Sequence, residues 1–333
     1  MQSRYLPFVA AIAAALALAL PHDASAQKSG ATRRIGVLLV WRPLAPGEAA
    51  PKFPPPNPVT NPFTYALAMR GYVEGKNLRI ERRFGEYGQL PAFARELEQQ
   101  KVEVVCVWGT RGARIVQKIV KSTPLVIYSC DPYEHVKSLS RPGGNITGTT
   151  CMTTELSPKR LQLLKELLPQ AKRVVLFGDP TDAPEGWQLT REAAKRLGIA
   201  IQAVSYESRD GIPDALARVA QARPDAVFVY PDAVLYNERR RLARFWLEHS
   251  IPSMNAFPEF ADAGGLMSYG AVYTEVFAFL GNQVAAILDG ARPSDVPVER
   301  ATKFHLVINL KTAKSLGVEV PRSLLLRADR LIK

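Results

Sequence analysis

Short runs of apolar, mostly β-branched residues alternate along this chain with longer segments whose apolar positions recur at helical spacing. Residues 35–41, 78–84, 103–108 and 125–129 read as strands. Between them, 89–100 and 111–121 read as helices, the first carrying Leu90, Phe93, Ala94 and Leu97 on one face. A second series follows, with strands expected at 173–177, 199–205, 226–230 and 252–255. Its helices are expected at 157–168, 186–197, 212–222 and 236–249. Ser157-Pro158 marks a helix start, a capping hydroxyl followed by proline at the first helical position, and Pro169 ends that helix. A strand at 265–269, a helix at 273–289 and a strand at 304–309 complete the pattern.

Strand–helix–strand repetition with continuously apolar strands predicts parallel sheets covered on both faces. Two such series predict an α/β protein of two doubly wound parallel-sheet lobes. The joint is expected near Arg141-Pro-Gly-Gly-Asn-Ile-Thr-Gly148, where proline and glycine interrupt the periodicity. The last three elements have no series of their own and are expected to cross back between the lobes, making a multi-strand hinge. The expected division is 33–147 plus 270–300 for the N-terminal lobe and 148–269 plus 301–333 for the C-terminal one.

One apolar run lies outside this scheme. Arg4 precedes an unbroken apolar stretch over 8–20, Pro21 breaks it, and Ala24-Ser25-Ala26 offers the small residues of a signal-peptidase site. That stretch of about 13 residues is shorter than the roughly 20 that span a bilayer as a helix. Residues 1–26 are therefore expected to be a cleaved signal peptide, and no cysteine at the cleavage site points to a lipid anchor. A periplasmic protein without a membrane span is the expectation. Removing 26 of 333 residues leaves 307, above the size at which single cores stop growing, in keeping with two lobes.

The net charge is +12, but the basic residues are scattered and no aromatic–basic stripe accompanies them, so no nucleic-acid partner is expected. Arg239-Arg240-Arg241 with Arg244 reads as the solvated face of an amphipathic helix. Of the three cysteines, Cys106 sits within an apolar strand as a small hydrophobe. Cys130 and Cys151 both lie at strand ends, where an oxidising compartment permits them to pair. Four scattered histidines and no Cys-x-x-Cys give no basis for a metal or other cofactor.

Parallel sheets bind ligands outside the carboxyl ends of their strands, and two facing lobes turn those ends into one cleft. Trp108-Gly109-Thr110-Arg111 ends a strand and opens a helix. Backbone N–H groups there, with Thr110 as cap and Arg111 adding charge, suit a carboxylate or phosphate; the alternative is a tight turn with a plain cap. Ser129-Cys130-Asp131 ends the next strand, where Asp131 before Pro132 either accepts a ligand ammonium or fixes the turn. Asp179 and Asp232 occupy equivalent strand ends in the second series. Trp41, Asn255, Phe257 and Tyr269 follow further strands and supply the aromatic and polar walls usual in a small-molecule pocket. Each tryptophan taken singly reads as packing.

Catalytic motifs are missing. Gly71-Tyr-Val-Glu-Gly75-Lys76 is one residue short of a P-loop, and Asn77 replaces its hydroxyl. Gly265-Leu-Met-Ser268-Tyr-Gly270 misses the nucleophile-elbow spacing by one, and His135, His249 and His305 have no sequence neighbour that makes a triad. No Gly-x-Gly-x-x-Gly follows the first strand.

Several strings together resemble the ABC-transporter substrate-binding family that includes tryptophan- and tyrosine-binding proteins. They are Gly71-Tyr-Val-Glu-Gly-Lys-Asn77, Arg141 to Gly148, residues 161–169 and Ala263-Gly-Gly-Leu-Met-Ser-Tyr-Gly270. To these are added 301–317 and Arg327-Ala-Asp329. The resemblance implies a type I periplasmic-binding fold, with two lobes, a three-segment hinge and closure around a solute, and an inner-membrane ABC permease as partner. The Pro-rich segment 43–62, Arg111 and Cys130 depart from the family's usual pattern. The expectation is a monomeric, non-enzymatic carrier of a small carboxylate-bearing solute, an amino acid or aromatic acid. A sensory partner of a membrane receptor or an exported α/β enzyme are the alternatives.

Overall fold

The computed structural model describes residues 31–40, 61–182 and 184–333. The expected signal peptide, Trp41 and nearly all of the Pro-rich segment lie outside the described residues. The first series runs β1 (Arg33–Val40), α1 (Pro62–Met69), β2 (Leu78–Gly85), α2 (Leu90–Gln99), β3 (Val104–Trp108), α3 (Thr110–Gln117), β4 (Leu125–Ser129) and β5 (Ile146–Thr150). The second runs α4 (Thr153–Leu167), β6 (Arg173–Phe177), α5 (Pro184–Arg196), β7 (Ala200–Val204), α6 (Ile212–Ala222), β8 (Ala226–Val229), α7 (Ala233–Glu248), β9 (Ser253–Asn255), α8 (Pro258–Asp262) and β10 (Met267–Ala271). The chain ends with α9 (Tyr273–Leu288), β11 (Glu299–Arg300), β12 (Phe304–Asn309), α10 (Leu310–Ser315), α11 (Arg322–Arg327) and β13 (Arg330–Ile332).

Two sheets result, in the orders β2-β1-β3-β4-β5-β11 and β7-β6-β8-β9-β10-β12-β13. Among the described pairings only β10 with β12 is antiparallel. The sheets share one topology, with strand order reversing between β1 and β3 and again between β6 and β8. Side chains alternate between the faces of each central strand. In β1, Ile35, Val37 and Leu39 pack under α1 and α9, while Leu38 and Val40 face α2 and α3. In the second sheet, Val174, Leu176 and Phe228 pack under α4 and α5, and Val175, Phe177 and Val229 face α6 and α7. The cluster under α2, α3, α6 and α7 is continuous across both lobes.

The chain passes between the sheets three times: from β5 to α4, from β10 to α9, and from β11 to β12. α9 leaves the second sheet and packs beside α1 on the first, carrying Val276, Leu280 and Val284 into that core. The fold is thus α/β with two parallel-dominated lobes and a multi-strand hinge.

Three features differ from the sequence reading. The Pro/Gly-rich joint ends in a full strand, so pairing in the first sheet runs past 147 to Thr150, and pairing in the second runs past 269 to Ala271. α4 starts at Thr153, not 157, from a left-handed Met152 (φ 54°). Ser157 and Pro158 lie inside it, and the Ser157 hydroxyl donates back to the Thr153 carbonyl at 3.0 Å. α7 starts at Ala233, not 236, because Asp232 accepts the Leu235 N–H and caps the helix.

Gly148 explains part of the Asn-Ile-Thr-Gly string. A Cβ at that position would lie 1.9 Å from the Ile127 carbonyl oxygen of neighbouring β4, and backbone in a central sheet cannot move aside. Gly148→Ala is expected to destabilise the protein by about 1–3 kcal/mol or more, read as a lower urea midpoint. An unchanged midpoint contradicts this packing.

Candidate ligand-binding cleft

In open α/β sheets ligands gather where strand order reverses. Here the two reversal points face each other, so the segments after β3, β6 and β8 meet. Gly109, at φ 111°, turns the chain from β3 into α3, a conformation that side-chain-bearing residues rarely adopt. Thr110 does not cap the helix. Its hydroxyl accepts the Cys130 N–H at 3.0 Å and lies 3.4 Å from the Ser129 hydroxyl, tying the end of β3 to the end of β4.

The N-terminus of α3 does hold an acidic group, but the group is the protein's own. The Arg111 N–H donates to Asp182 Oδ1 at 2.9 Å, and the Arg111 guanidinium donates to Asp179 Oδ2 at 2.7 Å. Both carboxylates belong to the facing lobe, in the turn after β6. The guanidinium also lies over the Tyr87 ring, 4.3 Å from its centroid. One turn on, Arg114 donates to the Thr181 carbonyl at 2.9 Å and to Glu134 on its own lobe. Asp179 is further held by the Thr181 N–H and hydroxyl on its other oxygen.

Three carboxylates therefore crowd one buried place. Burial pushes Asp182 up to about 8, with Asp232 and Asp179 raising it further against the Arg111 N–H and Arg114. Burial likewise raises Asp232 to about 6, even though the Tyr206 hydroxyl and the Leu235 N–H stabilise its charge. Half-buried Tyr87 and buried Tyr206 face these acids, and their hydroxyls are held well above the ordinary tyrosine range by loss of solvent first and by the carboxylates second.

Beside this cluster lies a cavity of about 280 Å³ between the lobes. Glu86, Tyr87 and Arg111 line it from the first lobe, and Tyr206, Arg209 and Val234 from the second. Arg209 crosses the gap, donating to Glu86 at 3.0 Å and to Glu238. Glu86, Tyr87, Asp182, Tyr206 and Arg209 were not singled out by the sequence reading. Four of them follow β2 and β7, the outer strands beside each reversal point, and the signal was only their place after a strand.

The other sequence-predicted residues divide. Thr110, Ser129, Cys130 and Asp131 form one hydrogen-bonded group; Asp131 is buried, accepts the Tyr133 N–H, and is raised to about 6, mainly by burial and then by Glu134. That is turn fixing. Arg111, Asp179 and Asp232 join the cluster above. Trp108 packs edge-on against Phe63 and Phe277 in the first lobe's core. Tyr269 lies in mid-strand, not after a strand, and its ring packs on Phe304. Asn255 is the last residue of β9 and only 1 % exposed, with neither amide atom hydrogen-bonded among the described residues. Phe257 packs against Tyr236 and Tyr273. Among the described residues no helix is long and apolar enough to cross a membrane, and no His, Cys, Asp and Glu cluster is arranged to hold a metal.

Residues 59–332 match the family described as ABC transporter substrate binding protein. The tyrosine-binding protein of Clostridioides difficile (strain R20291) is 23% identical over 265 residues, covering 77% of this chain and 76% of that one. The structure of the ABC domain in complex with L-Trp from Streptococcus pneumonia superposes with a TM-score of 0.78 at 21% identity, over 91% of this chain and 100% of that one. A conserved domain protein of Vibrio cholerae gives 0.79 at 24%, over 90% and 99%.

Asp182 makes the contact between lobes depend on pH. Were the lobes to part, its carboxyl would stand in water at the ordinary value near 4, whereas in the arrangement described it is about 8. Between these the closed form binds more protons, so the contribution of Asp182 to the contact weakens as pH rises and is lost through pH 8. Labels on the two lobes should report a growing separation from pH 5 to 9, and Asp182→Asn should flatten its upper part. Identical profiles for the two proteins refute this role.

Proposed function

We propose that this chain, which belongs to the family of ABC transporter substrate-binding proteins, is an exported carrier that closes its two lobes around a small carboxylate-bearing solute, an amino acid or an aromatic acid. The single observation behind the solute class is the start of α3, where an N–H and the guanidinium of Arg111 grip carboxylates. A solute carboxylate has the same acceptor geometry as Asp182 and can take its place when the lobes part and re-close. Tyr87 and Tyr206 line the cavity and offer rings to an aromatic side chain, and Glu86 a counter-charge to an ammonium. The cavity, about 280 Å³, is near the lower end of small-molecule sites, which run from roughly 300 Å³, in keeping with a single amino acid rather than a peptide.

Tyrosine and tryptophan, named for two of the relatives, satisfy these requirements and are the first candidates. The family is one of solute-binding proteins, and in this reading the solute is released unchanged to an inner-membrane permease by a monomeric periplasmic protein. Binding must favour the closed form over the open one, which the solute does by bonding to both lobes at once.

Calorimetry against amino acids, aromatic acids and sugars tests the reading. A carboxylate-bearing compound should bind, and Arg111→Ala should weaken it about 10–100-fold, the loss of a charged hydrogen bond. Tight binding of a neutral sugar, with no heat from any acid, overturns it.

A further inference from the structure

Cys130 and Cys151 are the first residues after β4 and β5, and their neighbours Ser129 and Thr150 are register partners. Adjacent strands are about 4.8 Å apart, within the Cα separations of about 4.4–6.8 Å that a disulfide spans. Both are free thiols here, with sulfurs 3.3 Å apart.

Their surroundings are unlike those of a structural cysteine. Cys151 Sγ lies 2.8 Å from the Thr153 hydroxyl, just before the 15-residue helix α4. The Tyr128 hydroxyl and the Thr153 N–H also bond it. Full burial works against a thiolate, but these bonds together with Cys130 outweigh it and bring the Cys151 thiol below its ordinary value, while Cys130 moves up. Arg160 is 0 % exposed and within electrostatic reach of both sulfurs. One of its nitrogens donates to the Thr153 carbonyl at 2.6 Å and to Ser157. Its Nε and other terminal nitrogen have no hydrogen-bond partner, and among the described residues it forms no ion pair. The guanidinium lies over the Phe228 ring, 5.6 Å from its centroid, but a cation buried without a counter-charge is costly, and a thiolate at Cys151 would supply one. Cys106, by contrast, is pushed up by burial alone and has the environment of an inert thiol.

We propose that Cys130 and Cys151 are a redox-active dithiol that closes reversibly to a disulfide at the first crossing between the lobes, Cys151 attacking and Cys130 resolving. The oxidant is a small-molecule disulfide. The Cys151 thiolate attacks one of its sulfurs, forming a mixed disulfide and expelling one thiolate, which takes up the proton lost by Cys151. Cys130, giving its proton to the second leaving thiolate, then attacks Cys151 Sγ. One disulfide is reduced to two thiols and one dithiol is oxidised. The bond ties the end of β4 to the segment entering α4 and withdraws the negative charge from Arg160. The Tyr128 hydroxyl, which bonds Cys151, also lies 3.0 Å from the Tyr273 hydroxyl at the second crossing, so the change is felt at two hinge segments. The proposal does not depend on the solute.

The test is to equilibrate the reduced full chain with oxidised glutathione at neutral pH, quench in acid, unfold, alkylate and weigh. Wild type should lose two hydrogens and take one alkyl group, on Cys106, with no glutathione retained. Cys130→Ser should stop at a glutathione adduct on Cys151, and Cys151→Ser should gain none over the same period. Three alkylated cysteines in the wild type refute the dithiol. An adduct forming as fast on Cys130 in Cys151→Ser refutes the assignment of roles.

Discussion

Where α3 begins, a backbone N–H and a guanidinium from one lobe meet two carboxylates from the other, in a place from which water is largely excluded. A buried charge left alone is costly; Arg111 with Asp179 offsets that cost, and Asp182, on the helix terminus, is instead raised until it keeps its proton at neutral pH. The compensation is incomplete: burial first, and the neighbouring carboxylates after it, raise Asp182 and Asp232. A closed cleft held in this way is one that an incoming carboxylate can take over, since it offers the same bonds from a mobile molecule.

The rest of the fold serves to bring those groups together. Both sheets reverse strand order at the same place in their sequence, so each lobe presents one crevice, and the three crossings leave the lobes hinged on one side with the crevices opposed. α9, which starts from the second sheet and finishes against the first, makes the second crossing part of a core rather than a free linker. The apolar cluster that continues across the closed interface adds a contribution without direction, while Arg111, Arg114 and Arg209 set the register of one lobe on the other.

Much of this was legible in the chain. Apolar periodicity located the central strands, and β4 and β6 have the predicted bounds because buried parallel strands leave an uninterrupted apolar signal; β12 has them too. β5 was hidden: its threonines and Gly148 are dictated by contact with β4 and α9, not by hydrophobicity. Helix starts were misplaced where the cap was not the expected hydroxyl, as at Met152 and Asp232. Strand-end logic placed Arg111, Asp179 and Asp232 after their strands but not in contact, since pairing across lobes has no local signature. Tyr87 and Tyr206 follow the outer strands β2 and β7, where a loop tyrosine has no periodic signature, and Tyr269 lies inside β10, which continues to Ala271.

The central claim is that the cleft is built for a carboxylate. Native mass spectrometry of freshly purified protein bears on it most directly, because closed lobes retain their solute. The account predicts an adduct with the mass of an amino acid or aromatic acid that is absent from Arg111→Ala; an adduct without a carboxyl group, such as a free sugar, equally present in both proteins, would contradict it.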